Sequence, residues 1–328
     1  METFDKWFAI VNPVAGSGKG LSDWPLISKL LRDHHIVPEY AFTERKYHAI
    51  ELAVEAVNNG FRKIMVVGGD GTIHEVVNGL FIQKAVPTTE VLVGVIAVGT
   101  GNDWIRMFGI PRKYSEAIRA IVEGHSFLQD VGVVSYHKAT YKQERYMANV
   151  AGVGFDAVVN RRYNHLKEEG KRGKWLYLWS TLKALLRYSS TGVKVYVDDE
   201  LVVNDLVYSA TIGIGRYNGG GMLQTRDAVA DDGLVDLAVI RKMSWLSVLF
   251  HFKVLFNGKI YRLNKTSLNR GRRIRIESAP EIALEVDGEA LGYSPFEFEI
   301  IDRAVRVVVA KRFLEEGSAG KSVADRIL

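Results

Sequence analysis

Glycine-rich loops that follow short apolar segments constrain the fold of this chain more than any other feature. Residues 68–72 read Gly-Gly-Asp-Gly-Thr, and they connect the apolar run at 64–67 to a helical pattern that begins at Ile73. Glycine-containing loops also follow apolar runs at residues 12–20 and 99–103. In open α/β sheets such loops bind ligands at the carboxyl ends of the strands. The first part of the chain therefore predicts a parallel sheet with helices on its faces.

The spacing of apolar residues divides the chain into two parts. The first part predicts strands at 7–11, 37–42, 63–67 and 91–97 and helices at 22–35, 46–59 and 72–83. From about residue 130 the second part predicts strands at 193–197, 207–214, 234–240, 273–277, 282–286 and 296–300, with helices at 173–188 and 244–257. The predicted fold class is a three-layer α/β N-terminal domain with a parallel sheet, followed by a mainly β C-terminal domain that forms an antiparallel sandwich.

The length of the chain indicates more than one domain. At 328 residues it exceeds the size at which a single hydrophobic core stops growing. We expect an α/β domain over residues 1–130, a β-rich domain over 131–310 and a polar tail over 311–328 that frays or packs on the first domain.

Composition favours a cytoplasmic protein. The chain has no cysteine, which excludes disulfides and a cysteine nucleophile. No apolar stretch follows Met1, and the run nearest to a membrane span, at 245–256, is interrupted by His251 and Lys253. The net charge of +5 is small. Residues 161–187 combine basic and aromatic side chains, so this segment is the best candidate for a surface that binds anions.

The first glycine loop, residues 12–20, matches a P-loop only in part. Its Gly-Ser-Gly-Lys stretch at 16–19 fits, but Pro13 stands where the leading glycine belongs. Gly20 stands where a Ser or Thr would bind magnesium. The P-loop interpretation therefore fails, and a nucleotide loop of another kind stays open.

The second and third loops carry side chains suited to a phosphate site. Glycines at 68–72 let the backbone approach a polyphosphate, and a helix N-terminus offers N–H groups to anions. Asp70 could hold a phosphate-bound magnesium ion through water or orient the loop, although Asp-Gly alone is a common turn. In the third loop Asn102 or Asp103 could cap the next helix, which is compatible with a binding role.

Together these loops resemble the signature loops of the diacylglycerol kinase catalytic domain, which sphingosine, ceramide and bacterial lipid kinases share. In the second half, residues 149–156, 231–236 and 287–289 resemble further segments of that superfamily, and the resemblance extends from residue 7 to about 309. It departs from the family at Ala97-Val98 and at Arg226, where a proline is common. The resemblance implies that the N-terminal domain is NAD-kinase-like.

The activity implied by this resemblance is that of an ATP-dependent lipid kinase with Mg²⁺ as cofactor. Its acceptor would be the hydroxyl of a diacylglycerol-like or sphingoid lipid. The implied nucleotide-binding residues are Asn12, Thr43, Gly68, Gly69, Asp70, Gly71, Thr72, His74, Thr100, Asn102 and Asp103. Asp70 is expected close to the catalytic magnesium ion.

In the second half the resemblance implies Glu289 as general base, assisted by Asp287. The alternative for the Asp-Gly-Glu stretch is a plain two-residue hairpin. The resemblance also implies a structural magnesium ion bound by the carboxylate of Asp232 and the backbone carbonyls of Val229 and Leu234. A solvated turn is the alternative there.

The implied partner is a lipid substrate at the membrane surface. Aromatic and basic residues at 173–188 and 244–256 could contact the membrane peripherally, or these helices could cover the sheet. The expected localisation is cytoplasmic and transiently at the inner face of the membrane, and a homodimer stays open. Rival functions are a soluble-metabolite kinase related to NAD kinase and a non-catalytic nucleotide-binding regulator. Nucleic-acid binding is not expected, because the basic run at 269–273 lies in no recognised binding motif.

Overall fold

The computed structural model describes residues 5–99, 101–159, 161, 188–244, 247 and 252–317. The chain divides into two compact units. Unit 1 comprises Met1–Val131, Ala230–Asp232 and Ile301–Leu328, and unit 2 comprises Gly132–Val229 and Gly233–Ile300. The second domain predicted from the sequence runs to residue 310, whereas the structure assigns residues 301–310 to unit 1, because the last strand continues into the parallel sheet of that unit.

Unit 1 alternates strands and helices. Its elements are β1 (Trp7–Val11), α1 (Ala15–Ser22), α2 (Trp24–Asp33), β2 (Glu39–Phe42), α3 (His48–Asn58), β3 (Lys63–Gly68), α4 (Asp70–Ile82), β4 (Leu92–Ala97), α5 (Asp103–Met107), α6 (Tyr114–Glu123) and the start of β5 (Ser126–Lys138). A short 3-10 helix spans Thr88–Glu90.

The sheet of unit 1 is parallel, with strand order β2-β1-β3-β4, and the end of the last strand pairs with β4. Val11 lies opposite Val67, which lies opposite Ile96. The loops that follow β1, β3 and β4 therefore leave the sheet at one edge. This register places the three glycine loops side by side.

Helices cover the strands of unit 1 with apolar faces. Trp24, Ile27 and Leu31 recur at helical spacing along α2, and they are buried in a cluster with Trp7 and Ile118. The strands themselves are nearly continuous apolar runs, as expected for a parallel sheet that is buried on both faces.

Unit 2 consists mainly of strands. They are β5, β6 (Tyr141–Met147), β7 (Val150–Gly154), β8 (Thr191–Val197), β9 (Glu200–Gly213), β10 (Val235–Arg241), β11 (Thr266–Gly271), β12 (Arg273–Ala279), β13 (Ala283–Val286) and the first part of β14 (Glu289–Val308). Two long strands change partners along their length. The start of β9 pairs with β8 and its end with β7, while β14 pairs first with β13 and then with β12. The antiparallel sandwich predicted for this part is confirmed.

Local predictions differ from the structure in several places. The single helix predicted at 22–35 is wrong at its start, because α1 ends at Ser22 and α2 begins at Trp24. The sequence analysis did not predict β5 and β6, since the exposed start of β6 is uniformly polar and lacks alternation. The polar tail begins as helix α7 (Lys311–Gly317), whose Phe313 ring lies 5.3 Å from the ring of Phe108.

Parts of two predicted helices lie outside the described residues. These are the helix at 173–188, of which only Tyr188 is described, and the part of the helix at 244–257 that comprises residues 245, 246 and 248–251. Within the latter, Phe252–Leu255 forms a 3-10 helix. Among the residues that the structure describes, no helix has the length and apolar character needed to cross a membrane.

Candidate active site

The first glycine loop is joined to the second by the side chain of Asn12. The Asn12 amide Nδ2 donates to Thr72 Oγ1 at 3.0 Å, and its Oδ1 accepts from the Val14 N–H at 3.1 Å. Further along, Gly16 and Gly18 have φ values of 59° and 95°, a left-handed backbone that glycine adopts readily. Asn12 therefore fixes the exit of β1 against the start of α4.

The second loop is joined to the third by the carboxylate of Asp70. Its two oxygens accept from the N–H groups of Asp103 and Trp104, each at 3.1 Å. Gly68 is needed in the same loop, since a Cβ at this position would lie 2.5 Å from Thr72 Oγ1. Asp70 thus caps a helix that lies more than thirty positions away in the chain.

The side-chain amide of Asn102, in the third loop, does not cap the helix that follows. Asn102 has a left-handed φ of 54° at the N-cap position of α5, yet its side chain makes no capping bond. Its Nδ2 instead donates to the Gly99 carbonyl at 3.1 Å. The expectation of a local Asn102 cap is wrong, because Asp70 already satisfies the first N–H groups of α5. Thr100, a predicted ATP ligand, lies outside the described residues.

Two further predicted nucleotide residues of unit 1 are Thr43 and His74. The Thr43 N–H donates to the Val11 carbonyl at 2.9 Å, which holds Thr43 beside the end of β1. His74 is buried on α4. Next to it, Glu75 accepts from the N–H groups of Tyr47 and Ala49 at 3.0 and 3.1 Å and thereby caps α3. The sequence analysis missed Glu75, whose partners are 28 and 26 positions away.

A cavity of about 470 Å³ lies beside the third loop. Gly99 and Asn102 contribute to its wall together with the cationic side chains of Lys19, Arg112 and Lys113. Arg112 also donates to the Gly101 carbonyl at 2.8 Å. Positive charge beside a glycine loop favours an anionic ligand.

In unit 2 the Asp-Gly-Glu stretch forms a tight turn between β13 and β14. Val286 pairs with Glu289, so Asp287 and Gly288 are the two loop residues. Their φ values of 50° and 89° are both positive, as a type I′ hairpin requires. The hairpin alternative named from the sequence is therefore correct as geometry, and it places Glu289 at the first position of β14.

Asp287 is fixed in this turn by three backbone donors. Its carboxylate accepts from the N–H groups of Ala148, Asn149 and Val150 at 2.8, 2.9 and 3.0 Å. Charge-assisted hydrogen bonds of this kind are stronger than neutral ones. The entry of β7 and the Asp287-Gly288 turn are thus held together.

Two further acidic side chains of unit 2 were not singled out from the sequence as site residues. Asp156 Oδ2 accepts from Ser209 Oγ at 3.0 Å and from Gln224 Nε2 at 3.3 Å. Burial raises the pKa of the Asp156 carboxyl. Burial also raises the pKa of Glu285 well above its usual range, with the charges of Asp156, Asp287 and Glu289 acting in the same direction.

The predicted structural magnesium site stays a prediction. Asp232 belongs to unit 1, whereas Val229 and Leu234 belong to unit 2. Within the described ranges, no group of three or more His, Cys, Asp or Glu side chains is arranged to hold a metal ion. That finding does not test a site built from one carboxylate and two carbonyls.

Comparison with known proteins identifies both parts of the chain. Residues 6–134 match the diacylglycerol kinase catalytic domain, and residues 149–309 match the YegS C-terminal NAD kinase beta sandwich-like domain. A diacylglycerol kinase of Mycobacterium tuberculosis is 30% identical over 303 residues, which cover 92% of this chain and 94% of that protein.

Solved structures show the same fold at lower identity. A diacylglycerol kinase from Bacillus anthracis superposes with a TM-score of 0.71 at 22% identity, covering 94% of this chain and 98% of the other. Yeast NADH kinase complexed with NADH superposes with a TM-score of 0.53 at 12% identity, covering 96% and 87%. The NAD-kinase-like fold expected for the first domain is confirmed. By these matches the chain belongs to the diacylglycerol kinase family of lipid kinases, which are phosphotransferases with an alcohol acceptor.

Proposed function

We propose that this protein transfers the γ-phosphoryl group of ATP to the hydroxyl of a diacylglycerol-like or sphingoid lipid. The observation that carries the proposal is the joining of three glycine loops at one sheet edge by Asn12–Thr72 and Asp70–Asp103 hydrogen bonds. Phosphoryl transfer depends mainly on positioning and on compensation of charge, and a rigid loop cluster supplies both.

The nucleotide would bind to the loops of unit 1. The backbone of residues 68–72 and the side chains of Asn12 and Thr43 lie at the ends of β1, β2 and β3, where they can meet phosphate and sugar. Glycines in these loops leave room for close approach, since Gly18 has no neighbour within 4 Å of a would-be Cβ. Lys19 and Arg112 add positive charge in the adjoining cavity.

The donor set of this unit suits magnesium. Asp70 offers carboxylate oxygens at the start of α4, and these are the ligand type that this ion prefers. When bound, magnesium would neutralise charge on the β- and γ-phosphates. Asp232, Val229 and Leu234 are proposed as ligands of a second, structural ion.

Proton removal from the acceptor would be the task of Glu289. A general base needs a fixed position, and the type I′ turn anchored by Asp287 provides one. Asp287 would act indirectly, because its oxygens are engaged by the backbone at the entry of β7. We place the reaction in the cytoplasm at the inner face of the membrane, where the lipid is available.

Transfer of labelled γ-phosphate from ATP tests the proposal. The acceptors are mixed micelles that contain diacylglycerol, sphingosine or polyprenol, and NAD serves as a soluble control acceptor. We expect magnesium-dependent label in one lipid. Label only in NAD would favour a soluble-metabolite kinase. Yeast NADH kinase has a similar fold. Binding of ATP without any transfer would favour a regulator.

A further inference from the structure

A glycine in the middle of the unit 2 sheet brings two carboxyl groups together. Gly152 on β7 lies opposite Thr211 of β9 on one side and Glu285 of β13 on the other. A Cβ at Gly152 would lie 3.0 Å from Asp156 Cβ and 3.3 Å from Glu285 Cγ. Asp156 therefore folds back over the glycine, into the space that a side chain would fill, and meets Glu285 there.

The described side chains that donate hydrogen bonds to Asp156 carry no charge. Asp156 Oδ2 accepts from Ser209, Gln224 and Thr211 at 3.0, 3.3 and 3.4 Å. These three donors come from β9 and from the loop before β10, and all of them are uncharged and buried. Glu285 is itself only 8% exposed.

Among the residues that the structure describes, acidic and phenolic groups face the pair. Asp287 and Glu289 of the turn act on Glu285 from its own hairpin. Tyr188 and Tyr208 face Asp156, and burial followed by the Asp156 charge raises the pKa of Tyr188 to about 12 and that of Tyr208 further. Two carboxylates that share a buried site cannot both ionise at low cost.

We propose that Glu285 is a positioning residue for phosphoryl transfer: it shares one proton with Asp156 above Gly152 and thereby keeps the Asp287-Gly288 turn and Glu289 in place. The inference rests on the proposed function. Loss of that proton would set two negative charges against each other, Asp156 just after β7 and Glu285 on β13. The strand β13 leads into the turn, and the three backbone donors of Asp287 lie at the entry of β7. The raised pKa values of both carboxyls agree with this arrangement.

The test compares Glu285→Gln with the wild type across the pH range. Glutamine keeps the shape and the donor of a protonated glutamate, so we expect kcat within about threefold of wild type at neutral pH. At higher pH, wild-type kcat should fall by about tenfold per pH unit once Glu285 ionises, and this fall should be absent in Glu285→Gln. Glu281→Gln is the matched control, because Glu281 is exposed and lies just before β13. This variant should keep the wild-type pH profile.

Thermal unfolding gives a readout that needs no activity. A folded-state pKa above the unfolded one means that stability is fully present below the unfolded pKa and is lost as pH rises through the folded pKa. As the pH rises above the usual glutamate range, the unfolding temperature of the wild type should therefore fall more steeply than that of Glu285→Gln.

Opposite results would overturn the inference. A large loss of kcat in Glu285→Gln at neutral pH would mean that the ionised carboxylate is needed, and an unchanged alkaline fall would remove Glu285 as its cause. If the wild type transfers phosphate to no acceptor, the proposed function and the positioning role fail together. In that case the unfolding curves still decide whether the shared proton exists.

Discussion

Each unit holds one key carboxylate with backbone N–H groups, but these N–H groups lie at very different distances along the chain. Asp70 in unit 1 and Asp287 in unit 2 each accept hydrogen bonds from backbone N–H groups, two in the first case and three in the second. In unit 1 the partners are neighbouring loops at one edge of a parallel sheet. In unit 2 they lie at the entry of β7, about 138 positions away. In both units a motif shows where the carboxylate lies in the sequence but not which N–H groups it accepts from.

The largest expected effect concerns Glu289, the proposed general base, which directly follows the Asp287-Gly288 turn of unit 2. Glu289→Gln should lower kcat for lipid phosphorylation by about 10²–10⁴-fold while ATP binding stays unchanged, because only the general base is removed. Steady-state kinetics and equilibrium ATP binding measure the two quantities. Glu281→Gln is the control, and comparable turnover by Glu289→Gln would remove Glu289 as the base.

Asp287→Ala should break the turn in unit 2. The substitution leaves three N–H groups without their acceptor, and we expect the free energy of unfolding to fall by about 3 kcal/mol. Urea denaturation measures this change. Asp199→Ala, at an exposed hairpin, is the control. A loss no greater than that of the control would show that these hydrogen bonds do not hold the turn.

Asp70→Asn tests the hydrogen bonds that connect the second and third loops of unit 1. Asparagine keeps one acceptor oxygen but turns an N–H₂ group towards a backbone donor, so the third loop should loosen and any metal ligation should weaken. We expect the magnesium concentration needed for half-maximal transfer to rise by about tenfold. An unchanged magnesium dependence would contradict the proposed role of Asp70 and leave it as a helix cap.

The smallest expected effect concerns Thr72. Thr72→Val keeps the shape of the side chain but removes the acceptor of the Asn12 amide. One lost hydrogen bond of this kind costs about 1 kcal/mol, which should raise KM for ATP by about fivefold and leave kcat nearly unchanged. Thr88→Val, away from the glycine loops, is a control for the same substitution. An equal effect of both variants on KM for ATP would show that Thr72 has no specific role in nucleotide binding.

Local patterns in the sequence identified much of unit 1. The strand at 7–11 was predicted with the bounds that the structure gives, since its apolar residues form an uninterrupted run. The position of the glycine loops followed from parallel pairing alone. The two hydrogen-bond partners of Asp70 could not be predicted, because the spacing of apolar residues does not show which distant N–H groups a capping carboxylate will accept from.

The acidic pair of unit 2 shows where sequence reasoning stops. Asp156 and Glu285 meet only because Gly152 lies opposite Thr211 and Glu285 in the sheet. Strand register of this kind depends on pairing between distant residues, more than a hundred positions apart for Gly152 and Glu285, and a one-residue shift would turn every side chain to the other face. The residues predicted by family resemblance, Asp287 and Glu289, were found in a motif, whereas Glu285 lies in an ordinary apolar strand.

The most direct test of the account measures two products in one reaction: ADP and phosphorylated lipid, formed from ATP and diacylglycerol micelles in the presence of magnesium. We expect ADP to form only when the lipid is present, and both products to appear in equal amounts. ADP formation without lipid, or transfer of the label to water or to NAD instead of the lipid, would contradict the claim that this family member phosphorylates a lipid alcohol.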